Sequence, residues 1–190
     1  LSAAIVSSTD VTCLGDSTGT AVTNASGGTP PYSYQWDDPN LQTNQSATGL
    51  CANTLTVIIT DGNGCNDTAT AIVNEPSVLS VGLSSNPVSC AGFCNGSATS
   101  IVTGGTGTYT YLWMPTNQNV ATAIGLCGGN YTFTVTDQNG CIAIDSITVN
   151  EPLALTTAII TEQGVDCYGD CDGYAEVSAN NGTGQYTYQW

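Results

Sequence analysis

The chain has 190 residues without a single Lys, Arg or His, and its 15 acidic residues give a formal net charge of −15. The lack of cations excludes nucleic-acid binding, which depends on cationic phosphate contacts, and argues against phosphoryl clamps and docking on anionic membranes. It also excludes histidine catalysis and histidine metal ligation. Because 41% of the residues are apolar, we expect a packed globular core, and we expect that the protein is not an enzyme.

Nine cysteines indicate a disulfide-permissive compartment, because cytosolic proteins rarely carry so many outside metal sites. The Cys-x-x-Cys spacing of zinc sites is absent. No apolar run approaches the roughly 18 residues of a membrane span, and no signal-peptide core is visible, so membrane insertion is not expected. We therefore expect a piece of a longer exported protein, located outside the cell or on its outer surface.

The sequence consists of tandem copies of one motif series. The first cysteine and the tryptophan of each copy recur at a constant interval, at Cys13, Cys90 and Cys167 and at Trp36, Trp113 and Trp190. The later cysteines and a proline recur at an interval shorter by a single position, at Cys51 and Cys127, Cys65 and Cys141, and Pro76 and Pro152. We therefore expect two full repeats, 1–76 and 77–152, and the first half of a third, 153–190, truncated or completed by another chain.

Within a repeat, apolar and polar residues alternate with the period of β-strands. In the second repeat the segments 97–101, 109–113, 130–136 and 141–149 show this pattern. Between the last two lies Asp137-Gln-Asn-Gly140, whose Asp at the turn start and final Gly predict a hairpin. No helical period of useful length is present. The pattern predicts an all-β fold with six or seven short strands per repeat.

Two details favour an immunoglobulin-like antiparallel β-sandwich. A tryptophan lies on an early central strand, and the segment 126–131 resembles the corner that precedes a late strand. We expect Trp36, Trp113, Trp190 and Tyr131 in the core. Each full repeat closes on Asn-Glu-Pro, and the proline limits strand continuation, so the joint should be short and stiff. Tandem immunoglobulin-like sandwich repeats of this length should then form a rod.

These motifs, in this order, resemble the SprB repeat. The resemblance rests on a first Cys and Gly, on Gly-Gly-Thr-Pro-Pro-Tyr-Ser-Tyr-Gln-Trp36, on Gly-Leu-Cys, on Val-Thr-Asp-Gln-Asn-Gly-Cys141 and on the closing Glu-Pro. It covers the whole chain as two and a half copies. Such repeats occur in very large surface adhesins of Bacteroidota, including a gliding adhesin. The resemblance implies outer-surface display, often through type 9 secretion, a role in adhesion or surface motility, and no catalytic residues.

The second repeat has four cysteines, and their spacing leaves two arrangements. Cys127 and Cys141 flank the hairpin asymmetrically, so they should not face one another. One arrangement pairs Cys90 with Cys141 and Cys94 with Cys127, and the other closes a small Cys90–Cys94 loop. We favour the first. Cys13–Cys65 would then repeat the first bridge, Ser17 in the place of Cys94 would leave Cys51 unpaired, and Cys167 and Cys171 would repeat Cys90 and Cys94. All of these bridges would be structural.

The carboxylates suggest either calcium binding or solubility. Asp166, Asp170 and Asp172 are the best candidate ligands for Ca²⁺, which prefers oxygen. Their counterparts in the second repeat are Ser89, Phe93 and Asn95, so the cluster is not repeated. We therefore favour the second role, in which the carboxylates of neighbouring rods repel one another and keep the rods soluble. We expect no cofactor.

Aromatic and hydroxyl side chains offer two further kinds of candidate. Tyr32 and Tyr34 share a strand face with Trp36 and are candidate sugar contacts, although the same spacing is typical of a sandwich core. Asp16-Ser-Thr18, Asp67-Thr-Ala69 and Asp145-Ser-Ile147 resemble the O-glycosylation acceptor of Bacteroidota, which makes Ser17, Thr68 and Ser146 candidate glycan sites.

Three functions remain as alternatives. The first is a disulfide-stapled, non-catalytic stalk of a secreted adhesin, with neighbouring repeats of the same polymer as partners and with surface glycans or other cell surfaces as candidate ligands. The second is a subunit of a non-covalent extracellular filament in which strand exchange completes the half repeat. The third is a carbohydrate-binding accessory module of a secreted enzyme.

Overall fold

The computed structural model describes every residue from Leu1 to Trp190, and all regular secondary structure in it is β-strand. The first repeat contains β1 (Ser2–Thr9), β2 (Gly19–Ser26), β3 (Ser33–Trp36), β4 (Ser46–Leu50), β5 (Asn53–Thr60) and β6 (Asn66–Val73). The second contains β7 (Ser80–Asn86), β8 (Gly96–Thr103), β9 (Thr110–Met114), β10 (Thr122–Leu126), β11 (Gly129–Thr136) and β12 (Ile142–Val149). The half repeat contains β13 (Thr156–Gln163) and β14 (Tyr174–Asn180). The chain has no helix that could cross a membrane.

The strands of each full repeat form the same two three-stranded sheets. In the first repeat one sheet has the order β1-β2-β4 and the other β3-β5-β6, with antiparallel neighbours throughout. In the second repeat the corresponding sheets are β7-β8-β10 and β9-β11-β12. The half repeat contributes the antiparallel pair β13-β14. The expected all-β architecture of small antiparallel sheets is confirmed.

The core of the first repeat lies between its two sheets. Ala21 and Ala47 from the sheet that contains β2 belong to the same buried cluster as Trp36, Val57 and Ile59 from the sheet that contains β5. All five side chains are fully shielded from solvent. Alternate residues of each strand face this layer, as the period-two pattern predicted.

The second repeat has an equivalent core. Trp113 and Phe133 are both fully buried, and their ring centroids lie 4.6 Å apart. The Trp113 indole donates a hydrogen bond to the Val120 carbonyl at 2.9 Å, so burial leaves its polar atom satisfied. Tyr131 is 6% exposed, and its hydroxyl donates to the Cys127 carbonyl, which ties the expected corner together.

The expected burial of Trp190 in the core is wrong, because 81% of the residue is exposed. In the first repeat the corresponding Trp36 pairs with β5 and is covered by residues of β4 to β6. The 190 residues contain no third counterpart of those strands. The side chain therefore lacks the surfaces that bury Trp36 and Trp113.

The chain forms two compact units whose limits differ from those of the repeats. The first consists of Leu1–Ser80, Thr103–Tyr109 and Thr136–Ala143, and the second of Val81–Val102, Thr110–Val135 and Ile144–Trp190. The first unit thus includes the β8–β9 loop and the β11–β12 hairpin of the second repeat. The expected boundaries after residues 76 and 152 stay a prediction.

Candidate functional site

A buried carboxylate organises the hairpin of each full repeat. Asp137 Oδ1 accepts hydrogen bonds from the backbone N–H groups of Asn139 and Cys141, each at 2.9 Å. Its Oδ2 accepts a bond of 2.9 Å from the Thr106 N–H, so one side chain joins the hairpin to the β8–β9 loop. The expected hairpin is confirmed, and its aspartate has a second role that the turn pattern does not predict.

The first repeat builds the same arrangement around Asp61. Its Oδ1 accepts from the N–H groups of Asn63 and Cys65 at 2.9 Å, and its Oδ2 accepts from Thr29 at 3.0 Å. Asp61 is 7% and Asp137 is 5% exposed. Since both repeats preserve three bonds to one side chain, the motif Asp-x-Asn-Gly-Cys specifies a docked hairpin rather than a solvated turn.

These hydrogen bonds lower the pKa of both carboxyl groups. The Thr29 N–H has the largest effect on Asp61, and with Cys65 and Asn63 it outweighs burial, which alone would raise the pKa. Burial is the largest single influence on Asp137 and raises its pKa, but the N–H donors together reverse that effect. Both side chains are therefore ionised acceptors at neutral pH.

Glycine is required where the loop approaches this carboxylate. Gly28 has φ of +69° and Gly105 has φ of +67°, a backbone region that favours glycine. A Cβ atom on Gly28 would lie 2.6 Å from Asp61 Oδ2, and one on Gly105 would lie 2.8 Å from Asp137 Oδ2. The Gly-Gly-Thr and Asp-x-Asn-Gly-Cys motifs of the sequence are therefore two sides of one contact.

The glutamate of the closing Asn-Glu-Pro motif holds the turn after the first cysteine. Glu75 accepts a hydrogen bond from the Gly15 N–H at 3.1 Å, and Glu151 accepts one from the Gly92 N–H. This role was not predicted. The signal that would have found it is the joint recurrence of Glu-Pro and of Gly two residues after the first cysteine.

Two disulfides are present, and one has the expected partners. Cys94 is bonded to Cys127. The other bond joins Cys13 to Cys141, which lie 128 residues apart in the sequence and within the same compact unit. The expected pairs Cys13–Cys65 and Cys90–Cys141 are therefore wrong. The remaining cysteines, Cys51, Cys65, Cys90, Cys167 and Cys171, are free and exposed, so the bridges expected for the last two are not formed.

The lengths of the strands explain the correction. The Asp67 carboxylate accepts from the Ala3 N–H at 2.9 Å, which places the β5–β6 hairpin beside the start of β1. The Val11 N–H instead donates to Asn74 beyond the far end of β6. Cys13 and Cys65 are thus separated by the length of an eight-residue strand, about 26 Å, where a disulfide needs Cα atoms within about 7 Å.

The Cys13 turn contacts the second repeat's hairpin by more than its disulfide. The Asn139 side-chain amide donates to the Thr12 carbonyl at 3.1 Å, and the sulfur of Cys141 lies 3.3 Å from the same oxygen. All of these residues belong to the first compact unit. The hairpin of the second repeat therefore contacts the first cysteine turn of the repeat before it, through hydrogen bonds as well as the disulfide.

Ser17 stands where the second repeat has a disulfide. Its hydroxyl oxygen lies 2.9 Å from the sulfur of Cys51, in the position occupied by Cys94 and Cys127 in the second repeat. Cys51 is free, as expected from the substitution.

The aromatic candidates divide between the core and the surface. Trp36 is fully buried, whereas Tyr32 and Tyr34 are half-buried. The Tyr32 hydroxyl donates to the Gly27 carbonyl at 2.7 Å, so it fastens the glycine loop. Both tyrosines are therefore only partly accessible to a ligand.

The structure also places the acidic and hydroxyl candidates. The chain contains no group of three acidic or cysteine side chains that could hold a metal ion, and the Asp172 carboxylate accepts from the Asp166 N–H. The candidate glycan sites Ser17, Thr68 and Ser146 are not enclosed in the core. Their glycosylation stays a prediction.

The comparisons with known proteins support the repeat assignment. The family model of the SprB repeat matches residues 5–41 and residues 82–117, in corresponding parts of the two full repeats. A search of curated proteins found no match. The two matched segments contain the first cysteine turn, the glycine loop and the tryptophan strand described above. The SprB repeat model thus matches one segment in each full repeat, where the sequence motifs implied the resemblance.

Proposed function

We propose that this chain is a structural, non-catalytic repeat segment of a secreted cell-surface adhesin fibre. The observation that carries the proposal is the Cys13–Cys141 disulfide. It connects the first cysteine turn of one SprB repeat to the hairpin of the next, in addition to the peptide chain. A covalent bond between consecutive repeats suits a segment that bears load between a cell and a surface.

The chemistry of the surface fits an exported stalk. The chain carries 15 acidic residues and no Lys or Arg, so parallel fibres repel one another and stay dispersed. The same composition offers trypsin no cleavage site. Many copies of a weak binding surface along a fibre would raise the overall avidity without a deep pocket in any one repeat.

Localisation and attachment test the proposal together. Antibody fragments raised against the 190-residue chain are expected to label intact, unpermeabilised cells of the source and to reduce their attachment or surface movement. Fragments against an unrelated surface protein serve as the control. Labelling that requires permeabilisation, or unchanged attachment at saturating labelling, would argue against an adhesin.

A non-covalent filament is the second candidate, and the half repeat favours it. The strands β13 and β14 form an isolated pair, and apolar residues such as Ile159 and Ile160 are 62% and 54% exposed. An unpartnered pair of this kind is completed by added strands. The mass of the native polymer after boiling in detergent and reductant separates the two: hundreds of kilodaltons indicate tandem repeats, and a subunit-sized band indicates assembly.

A carbohydrate-binding module is the third candidate. The support for it is the half-buried Tyr32 and Tyr34 pair, with Trp36 withdrawn into the core. It predicts a shift of the tyrosine resonances on titration with oligosaccharides, and a catalytic domain elsewhere in the parent protein.

A further inference from the structure

The strands β4 and β10 each lie at one end of a three-stranded sheet, so one side of each strand has no neighbouring strand. The N–H and C=O groups on such a side can pair with a strand of another molecule, and proteins commonly guard them with charged side chains or proline. Both strands have five residues, and neither contains a charged residue or a proline. The usual chemical guards are therefore absent from these two edges.

A glutamine side chain covers the outer edge of β4 instead. The Gln42 side-chain amide donates to the Thr48 carbonyl at 2.9 Å, and Gln42 Oε1 accepts from the Thr48 N–H at 3.0 Å. A residue of an added antiparallel strand would make this same pair of bonds with the main chain of Thr48. The Gln42 side chain therefore takes the place of one residue of a neighbouring strand.

The second repeat has the same arrangement at β10. The Gln118 side-chain amide donates to the Ile124 carbonyl at 3.0 Å, and Gln118 Oε1 accepts from the Ile124 N–H at 3.1 Å. The covered residue changes from threonine to an isoleucine that is 68% exposed, yet both bonds are kept. The glutamine therefore recognises the main chain of the edge and not its side chains.

The main chain of each glutamine is fixed beside the other sheet of its repeat. The Trp36 N–H donates to the Gln42 carbonyl at 2.9 Å, and the Trp113 N–H donates to the Gln118 carbonyl at 2.9 Å. Each glutamine is thus anchored next to β3 or β9 while its side chain covers β4 or β10. Because the anchored residue has less conformational freedom to lose, the two side-chain bonds form at a smaller entropic cost.

A bulge follows the covered residue in both strands. Gly49 and Gly125 have φ of +67° and +69°, and the pairing of β4 with β2 and of β10 with β8 shifts register at this point. A bulge bends the strand and interrupts its ladder of hydrogen bonds. The glutamine therefore covers the last residue of the regular part of each edge.

We propose that Gln42 and Gln118 are edge caps, which prevent β4 or β10 of a second copy of this chain from adding to the same strand. Two copies of one strand can pair antiparallel about a two-fold axis, and the added strand would use the groups that the amide now occupies. Because 46–50 and 122–126 carry no charge, no repulsion between the paired segments themselves opposes this association. The caps keep the full repeats from pairing with one another through these edges.

The test removes the cap from β10. Gln118 is the better target, because the Gln42 amide also donates to Asp38 at 3.0 Å. In Gln118→Ala at low protein concentration, hydrogen exchange followed by NMR should show the Ile124 N–H exchanging about tenfold faster, the equivalent of one net hydrogen bond. Gln42→Ala should have the same effect at Thr48.

Two controls separate loss of the cap from other changes. The N–H of Ala123 faces β8, because main-chain groups alternate in direction along a strand, and its exchange rate should not change unless the repeat unfolds. Gln35→Ala removes an exposed glutamine from β3 and should leave the exchange of the Ile124 N–H unchanged.

Sedimentation velocity measures the association itself. The free cysteines are first alkylated with iodoacetamide to prevent disulfides between chains, and high salt screens the net charge of −15. We expect Gln118→Ala to form dimers at concentrations about tenfold lower than the parent chain or Gln35→Ala, with the Ile124 N–H protected again in the dimer. An unchanged exchange rate at Ile124, faster exchange without increased association, or dimers in which Ile124 stays unprotected would overturn the proposal.

Discussion

The hydroxyl of Ser17 lies 2.9 Å from the sulfur of Cys51, at the place where the second repeat has a bond between Cys94 and Cys127. At this place the two repeats share one geometry, and only the second has a covalent bond. Two atoms already in contact need little movement to become bonded.

We predict that Ser17→Cys forms a disulfide with Cys51. The bond would close a loop across a separation of 34 residues, and the chain-entropy model gives about 3 to 4 kcal/mol for a loop of that size. The free energy of unfolding of the oxidised variant should rise by an amount of this order. Thiol titration should show one free cysteine fewer than in the parent chain.

The reverse experiment in the second repeat is the control. Cys94→Ser should leave Cys127 free and lower the free energy of unfolding by a similar amount, about 3 to 4 kcal/mol. Reduction should remove the difference between Ser17→Cys and its parent. A thiol count one higher than that of the parent chain, with the introduced thiol and Cys51 both free, would contradict the prediction.

The second prediction concerns the contribution of the hairpin carboxylates to stability. Asp137→Asn keeps one carbonyl oxygen but replaces the other acceptor by an NH₂ group, which faces the donor N–H of Thr106. A donor facing a donor in a buried site is unfavourable, so the melting temperature should fall by several degrees. Asp61→Asn should have the same effect through Thr29.

Glu162→Gln removes the same charge from an exposed strand and should leave the melting temperature nearly unchanged. Thermal unfolding followed by circular dichroism measures all three variants. Equal effects of Asp137→Asn and Glu162→Gln would show that the net charge matters and the hydrogen bonds do not.

Acid should weaken the fold through the same carboxylates. The pKa values of Asp61 and Asp137 lie below their ordinary value of 3.8 in the folded protein, so the fold favours the ionised form. This stabilisation is complete above the pKa of the unfolded chain and is lost as the pH falls through the lower folded value. The stabilisation should therefore fall as the pH drops from about 5 to values below the ordinary pKa of 3.8.

Relief of charge repulsion at low pH acts in the opposite direction in a chain of net charge −15. The difference between the parent and the double variant Asp61→Asn/Asp137→Asn removes this common effect. Urea unfolding at a series of pH values should show the two curves converging as the pH falls. A constant difference down to pH values well below 3.8 would contradict the assignment.

Several features of the fold could be predicted from the sequence within one repeat. The alternation of apolar and polar residues predicts the strands and the burial of Trp36 and Trp113. Turn chemistry predicts the Asp137 hairpin, and the cysteine spacing within one repeat favours the Cys94–Cys127 bond. These features could be predicted because each is determined within one repeat, by turn chemistry, by cysteine spacing or by the alternation of a strand's two faces.

The first disulfide could not be predicted in this way. The choice between Cys65 and Cys141 as partner of Cys13 depends on which end of β6 each cysteine occupies, and that requires the sheet topology. Pairing cysteines within one repeat gives the wrong partner when a cysteine of one repeat is bonded to a cysteine of the next. The predicted burial of Trp190 is wrong for a related reason, because it depends on strands that follow the tryptophan in a full repeat.

The glycine of the loop provides the last prediction. Gly105 and Gly140 both have positive φ, at +67° and +87°, but a Cβ on Gly105 would meet Asp137 Oδ2 at 2.8 Å, whereas one on Gly140 would meet nothing within 4 Å. Gly140→Ala should therefore cost only the backbone strain of about 1 to 2 kcal/mol. Gly105→Ala should cost more, because it also displaces the carboxylate from Thr106. Urea unfolding of the two variants measures the difference, and equal destabilisation would mean that the hairpin aspartate does not depend on the close approach of the loop.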